Sequence, residues 1–383
     1  MNNRFLIIAC ASLLLVGMTT VIHANESLTN TEQIDYAMIN QLIVEQAILP
    51  DYFSLVKATR EFDQLITRTC QRDEAAFNNG AKVKAIDKHV MRSFLNVRHA
   101  WAKVQLLSFG PISFLERRER FDFWPDKHRV GERQIRQLLS QTDSTNSFHD
   151  INIEQFREKS VAIQGLSAME RVLFSQKQTL NTHDCHLARL IAENLLSIAE
   201  DVFAQWSTKP IEFKNDLLNP TPDLTFFSDA KQVASVLLND MSTQIRVVSD
   251  QKIANAMPSA KKRDQKINYR KLESWRTGST FALMTLNILT VKKYYQLGFS
   301  RPIKQLNISL HQHITDQFEK VLSQLEILNS RRSIQVKKMT QTKEVFEIFT
   351  ALQIALLELD TLLSNDVVKT LGLHIKFNAL DGD

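Results

Sequence analysis

The chain has 383 residues, with 47 Lys and Arg against 42 Asp and Glu, and only 9 Gly and 8 Pro. So few turn-forming residues argue against a fold of many short strands, and the well-mixed charges argue against disorder. A net charge of +5 is too mild an excess to mark a nucleic-acid binder.

Arg4 is a minimal positive start, Phe5 to Ile22 is apolar, and Ile22-His23-Ala24 is a small-residue cleavage site before Asn25. Residues 1–24 therefore read as a secretory signal, which implies a periplasmic location. A retained anchor is one alternative, since the run is nearly long enough to span a bilayer. A lipoprotein signal at Ile7-Ile8-Ala9-Cys10 is another, disfavoured by the short apolar run before Cys10. No later segment is long and apolar enough to span a membrane, so none is expected after signal cleavage. Cleavage leaves Cys70 and Cys185. In an oxidising compartment the economical reading is one disulfide, and two free buried thiols are the alternative.

Thr31 to Leu49 reads as a helix, with Ile34, Met38 and Leu42 on one side, and Pro50 is expected to interrupt it. Leu55, Ala58, Phe62, Leu65 and Thr69 continue a helical spacing to Cys70. Phe94, Val97, Trp101 and Val104 form the stripe of a long helix that ends at Phe109-Gly110-Pro111. An irregular aromatic stretch follows, with Phe114, Phe121, Phe123, Trp124, Pro125 and Asp126. It reads either as a functional loop or as aromatic plugs on a bundle. A short helix is expected around Gly131 to Leu139, then a polar surface loop over Gln141 to Ser147.

The next helix opens on Gly165, and Leu166, Met169 and Leu173 form its apolar face. Glu170 lies on that face. A buried carboxylate has to be paired, protonated or ligand-bound. Asn181 to Asp184 starts a further helix with Leu187, Leu190, Ile191, Leu195, Ile198, Val202 and Trp206 inside.

Pro210, Pro220 and Pro222 place a domain boundary at 209–223. Four helical stripes are expected beyond it. The first runs from Ala230 to Val248. The second comprises Leu272, Trp275, Ser279, Ala282, Leu286 and Leu289. The third runs from Ile303 to Leu328. The fourth comprises Val345, Phe349, Leu352, Leu356, Leu359 and Leu363. The fold class is thus all-α, as two tandem helical-bundle domains at 25–208 and 224–383. The helix with Arg98 and Trp101 is loosely echoed by Trp275 and Arg276, which hints at internal duplication.

Glycine-rich phosphate loops, His-Glu-x-x-His, Cys-x-x-Cys and Gly-x-Ser-x-Gly are all absent. His183 and His186 at a helix start, and His311 and His313 two apart, are weak metal candidates. Arg98, Glu170, Arg171 and Arg276 sit beside core stripes. They read either as buried Arg–carboxylate pairs or as a cleft between the bundles, with aromatics from Phe121–Asp126, that binds a ligand.

Several segments together resemble the imelysin-like family of exported bacterial proteins. They are Arg98-His99-Ala100-Trp101, Phe109-Gly110-Pro111-Ile112, Phe123-Trp124-Pro125-Asp126-Lys127, Gly165-Leu166-Ser167-Ala168-Met169-Glu170-Arg171, Ser274-Trp275-Arg276 and the terminal Phe377-Asn378-Ala379-Leu380-Asp381-Gly382-Asp383. Cys185 also fits. The resemblance implies two bundle-like helical domains with a site at their interface. It also implies a cell-envelope location and a link to iron, haem or another divalent metal. The site residues it implies are Arg98, Trp101, Trp124, Asp126, Gly165, Ser167, Glu170, Arg171, Trp275 and Arg276.

Some members of the family are classed as metallopeptidases on a Gly-x-His-x-x-Glu motif. Gly165, Ser167 and Glu170 stand at its positions here, so a serine replaces the histidine. A neutral hydroxyl is a poor ligand for zinc or iron, which leaves Glu170 alone as a metal candidate. The expected function is therefore a non-catalytic periplasmic binding or accessory protein for a small ligand or metal. A metal-dependent peptidase is the second reading. An envelope scaffold with a protein partner and no small ligand is the third.

Overall fold

The computed structural model describes residues 34–78, 84–140, 151–174, 179–207, 213–222, 226–258, 266–330 and 336–374. The expected signal at 1–24, the polar run at 141–147 and the terminal 377–383 lie outside the described residues.

Pro50 does not interrupt the first helix. Helix α1 (Tyr36–Ile43) passes through a π-turn, Val44–Ile48, directly into α2 (Leu49–Asn78). The Leu49 N–H donates to the Val44 carbonyl, five residues back. Proline has no N–H to donate, and its ring crowds the carbonyl four residues before it. The wider π-turn absorbs both defects without ending the helix.

Helix α3 (Lys88–Val104) is capped by Asp87, and its Phe94, Val97, Trp101 and Val104 are buried as the spacing predicts. Gly110, at φ +76°, turns the chain after it, and Pro111 lies in a 3-10 segment, Gly110–Glu116. Helix α4 (Arg117–Phe121) leads into an extended run through Asp122 to Asp126. Next come α5 (Val130–Ser140), α6 (Ile153–Arg157) and α7 (Leu166–Leu173). Helix α8 (Thr182–Ser207) starts at a reciprocal pair: Asn181 Oδ1 accepts from the Asp184 N–H, and Asp184 Oδ2 accepts from the Asn181 N–H.

Helices α2, α3 and α8 pack together, and Cys70 on α2 is bonded to Cys185 on α8 with their Cα atoms 5.4 Å apart. A two-residue ladder pairs Lys84–Ala85 with Thr179–Leu180, so the fold is all-α in substance. The expected linker carries a short helix, α9 (Phe213–Leu218), with Phe213 and Leu217 buried.

The second half holds α10 (Ala230–Arg246) with a π-turn at Val247–Ile253, and α11 (Thr280–Tyr294) with another at Tyr295–Phe299. Then come α12 (Ser300–Leu306), α13 (Ile308–Ser330), α14 (Val336–Met339), α15 (Lys343–Thr361) and α16 (Val368–Thr370). All six stripe residues from Val345 to Leu363 are buried. Leu306 is exposed, because the chain breaks at Asn307 between α12 and α13.

The stripe expected from Leu272 to Leu289 does not form. Residues 273–278 make a turn, and α11 begins only at Thr280. Its buried face is Leu283, Met284, Asn287, Ile288 and Val291, while Leu289 is 43% exposed. Helix α11 is apolar nearly all round, so hydrophobic spacing leaves its rotation undetermined. The buried amide of Asn287 sets it by bonding to groups described below. Trp275 and Arg276 lie in the turn and Trp101 lies on a helix, so the residue-level echo between the halves is not a helical equivalence.

The described residues from Asp35 onward form one compact unit. Helix α1 packs on α10, and α3 packs on α11. Asn40 Nδ2 donates to the Ala230 carbonyl at 2.8 Å, and Tyr36 Oη donates to the Leu371 carbonyl at 2.6 Å. Both halves are therefore held at several points, and α3 carries the central one.

Candidate functional site

Arg98 projects from the buried face of α3 one turn before Trp101, and it is buried completely. Its Nη1 donates to Asp122 Oδ2 at 2.6 Å, and its Nη2 donates to Glu170 Oε2 at 3.0 Å. Ser167, one turn before Glu170 on α7, donates its hydroxyl to Asp122 Oδ1 at 2.8 Å. The serine thus bonds to the aspartate of the loop and not to Glu170 on its own helix.

The other Glu170 oxygen is taken by the second half of the chain. Oε1 accepts the backbone N–H groups of Arg276 at 3.0 Å and Thr277 at 3.4 Å. These amides converge because the turn is tightly wound, with Ser274 at φ +51° and Gly278 at φ +73°. Gly165 allows the approach of α7. A Cβ there would lie 2.3 Å from the Phe121 carbonyl oxygen, immediately before Asp122.

A second buried cation adjoins the first. Lys252 lies in the π-turn after α10 and is fully buried. Its Nζ donates to Glu273 Oε2 at 2.6 Å, Asn287 Oδ1 at 2.6 Å and Gln105 Oε1 at 3.0 Å. Asn287 Nδ2 in turn donates to the Ala102 carbonyl at 2.8 Å. The other oxygen of Glu273 lies 3.9 Å from Arg98 Nη1. Two cations and three carboxylates, drawn from both halves, thus form one closed network.

Burial acts to lower the Arg98 pKa, but Asp122, Glu170 and Glu273 together raise it above the ordinary arginine value. Asp122 moves up, because burial outweighs the pull of Arg98. Glu273 moves down: burial opposes its charge, but Lys252 and Arg98 favour it more strongly. The two cations face three carboxylates, and hydrogen bonds from Ser167 and the turn amides add to the ion pairing that burial demands.

The expected site residues divide into two groups. Arg98, Ser167 and Glu170 converge in the sealed cluster, with Gly165 making room for it. Trp101 is core, its ring centroid 4.5 Å from that of Phe121. Trp124, Asp126, Arg171, Trp275 and Arg276 are only part-buried and make a rim. Arg171 Nη2 donates to Asp126 Oδ2 at 2.7 Å, and Asp126 accepts the N–H groups of Val130 and Gly131 at the start of α5. The Trp124 ring lies 5.9 Å from Lys252 Nζ.

A cavity of about 160 Å³ opens at Asp122, lined by Arg118, Glu119, Phe123, Trp124 and Pro125. A larger groove of about 290 Å³ lies between α2 and α3, lined by polar side chains including Arg68, His89 and Arg92. It shares no residue with the cluster.

Sequence reasoning missed Asp122, Lys252, Glu273 and Asn287. The same rule that singled out Glu170 finds Lys252, which follows Val248 by four residues and continues the stripe of α10. Asp122 lay inside the aromatic stretch but between two phenylalanines. Nothing local marks Glu273.

A metal held by the Gly-x-His-x-x-Glu positions would need free donor electrons at Ser167 and Glu170. Ser167 offers only a neutral hydroxyl, a weak ligand held by its hydrogen bond to Asp122, and both Glu170 oxygens are engaged by Arg98 and the turn. The residues present do not fit a metal at this motif. Among the described residues, no three His, Cys, Asp or Glu side chains are grouped to hold one.

Fold and cluster together define an all-helical protein packed around an ionic core. The chain belongs to the imelysin (peptidase M75) family, whose sequence profile matches residues 48–363. A comparison with curated protein sequences finds no match. Two crystal structures share the fold. An imelysin-like protein from Psychrobacter arcticum 273-4 matches with a TM-score of 0.71 at 16% identity, over 90% of this chain and 98% of that one. A candidate iron-regulated protein A precursor from Parabacteroides distasonis ATCC 8503 matches with a TM-score of 0.66 at 15% identity, over 88% of this chain and 94% of that one.

Proposed function

We propose that this protein is a non-catalytic periplasmic binding or accessory factor in the acquisition of iron or another metal. One observation carries the non-catalytic part. The position where the family motif would place a metal is filled by Arg98 and by the backbone of Arg276 and Thr277. The Parabacteroides relative's name supports the link to iron. The apolar start with a small-residue cleavage site supports the location. In this reading a ligand meets the rim around Trp124, Trp275 and Arg276, while Glu170 fixes the two halves beneath it.

Two measurements test the proposal. The first is iron uptake and growth of a deletion strain under iron limitation, with fractionation to locate the protein. Slower uptake and a periplasmic protein are expected; unchanged uptake would sink the accessory role. The second is peptide hydrolysis by the purified chain with added zinc or iron. Metal-dependent hydrolysis that disappears in a Glu170→Gln variant shown to be folded by circular dichroism would restore the peptidase reading. A second reading, an envelope scaffold without a small ligand, is favoured by the sealing of Glu170 inside the cluster. It predicts that no ligand binds at the rim.

A further inference from the structure

We propose that Arg276 anchors a binding site for an organic carboxylate, with Trp275 as its platform and Arg171 and Arg129 as flanking charges. The proposal rests on the reading above that the rim is the ligand-binding face, and it names the chemistry that face takes.

The guanidinium carbon of Arg276 lies 4.4 Å from the centroid of the Trp275 ring. Tyr269 meets the same ring edge-on at 5.2 Å and so holds the platform in place. The Arg276 backbone is fixed as well, because its N–H is bonded to Glu170. Yet the Arg276 guanidinium forms no ion pair or hydrogen bond with any described residue. The guanidinium is part-buried against Trp275, and its donor fork is open to an incoming acceptor.

The neighbouring arginines differ in this respect. Arg171 is committed to Asp126, and Arg129 makes two bonds, each of 2.8 Å, to Glu132. Burial lowers the Arg276 pKa, and the charges of Arg171 and Arg129 push the same way against Glu170 and Glu132. An incoming anion relieves that penalty.

Among the described residues, Arg276 is the one of these three guanidiniums without a carboxylate partner, so its donor fork is open to one carboxylate group of a ligand. A carboxylate also matches the planar fork of arginine in two-point contact. The indole and phenol surfaces of Trp275 and Tyr269 offer area to an organic body, which a bare inorganic anion would leave unused.

The test is calorimetric titration of the full, metal-free chain with citrate at constant ionic strength, with inorganic phosphate in a parallel arm. Saturable citrate binding is expected, weakened about tenfold or more by Arg276→Gln, as loss of a charged hydrogen-bonding fork implies. Arg276→Lys keeps the charge without the fork and is expected to restore only part of the affinity. Trp275→Leu, a second variant that leaves the arginine in place, is expected to weaken binding severalfold. Circular dichroism and thermal melts confirm that each variant is folded.

Equal citrate affinity in the wild type and folded Arg276→Gln, or no saturable citrate binding, would overturn the site. Phosphate bound as tightly as citrate would overturn the organic carboxylate. The two proposals fail separately. Arg276-dependent citrate binding without an iron-uptake phenotype sinks the accessory role alone, and the converse sinks this site alone.

Discussion

Glu170 and Arg276 stand 106 residues apart in the chain, and the Arg276 backbone N–H donates to the Glu170 carboxylate at 3.0 Å. The same carboxylate takes Arg98 Nη2 on its other oxygen. One acid on α7 therefore joins a helix of the first half to a turn of the second. Its place on a core stripe follows from this: the residues it holds come from both sides of the core.

Glu170→Gln is expected to destabilise the fold by about 3 kcal/mol or more, the scale for removing one member of a buried ion pair. The amide oxygen can still accept from the turn, but the NH₂ group then faces the Arg98 guanidinium. Urea unfolding at neutral pH measures the change. A loss under about 1 kcal/mol, typical of exposed pairs, would show that Glu170 does not hold the halves together.

Lys252 and Glu273 form the second bridge, 2.6 Å apart and both buried. Lys252→Met alone leaves Glu273 with a single distant cation, Arg98 at 3.9 Å, and is expected to cost about 3–5 kcal/mol. Combining it with Glu273→Gln removes the stranded charge. The double variant is expected to recover stability relative to the sum of the singles by about 2 kcal/mol. Strict additivity in this double-mutant cycle would mean that the pair is not coupled.

Much of the helical framework was legible in the sequence, because spacing reports burial wherever one face of a helix is apolar. The stripes of α3, α8 and α15 are read directly in this way. The spacing signal failed at α11, where nearly every face is apolar and only the bonds of Asn287 choose the rotation. It also failed at Pro50, whose missing N–H and crowded ring are absorbed by a π-turn that local rules do not foresee. At the site, a charge on an apolar stripe revealed Glu170. Arg98 was legible in the same way, and Lys252 was readable as a charge continuing the α10 stripe; Asp122 and Glu273 were hidden because a loop and a tight turn have no periodicity. The resemblance to imelysins added Ser167 to Arg98, Glu170, Arg171 and Arg276, which stood out beside core stripes. It left open that Glu170 is wholly committed within the protein.

The disulfide between Cys70 and Cys185 spans 115 residues of sequence. Cross-linking a loop of that length stabilises by about 4–5 kcal/mol if chain entropy is the whole effect, and by less when the reduced chain keeps structure. The paired substitution Cys70→Ala with Cys185→Ala is expected to lower the melting temperature by several degrees, and reductant is expected to do the same to the wild type. A melting curve unmoved by reductant, with two thiols titrating in the native protein, would argue that the bond does not form.

Asp240 on α10 is buried and accepts two bonds from Ser108, from its backbone N–H at 2.7 Å and from its hydroxyl at 2.5 Å. It ties the chain beyond α3 to the second half. Burial pushes its pKa up to about 6, against the pull of the Ser108 bonds and of Arg118. The unfolded chain releases this proton near pH 4. Between those values the folded state holds a proton that the unfolded state has lost. The stability this carboxyl contributes is therefore greatest below about pH 4, falls as pH rises towards 6, and is level beyond. Asp240→Asn keeps one acceptor for the Ser108 N–H and offers a donor to its hydroxyl, without the buried charge. Relative to the wild type, the variant is expected to gain about 2–3 kcal/mol between pH 4 and pH 6.5, at about 1.4 kcal/mol per pH unit. Glu273, whose pKa is lowered, loses its contribution as pH falls and acts with the opposite sign, so the quantity to measure is the difference between variant and wild type in urea unfolding across that range. A difference that does not change with pH would place the Asp240 titration elsewhere.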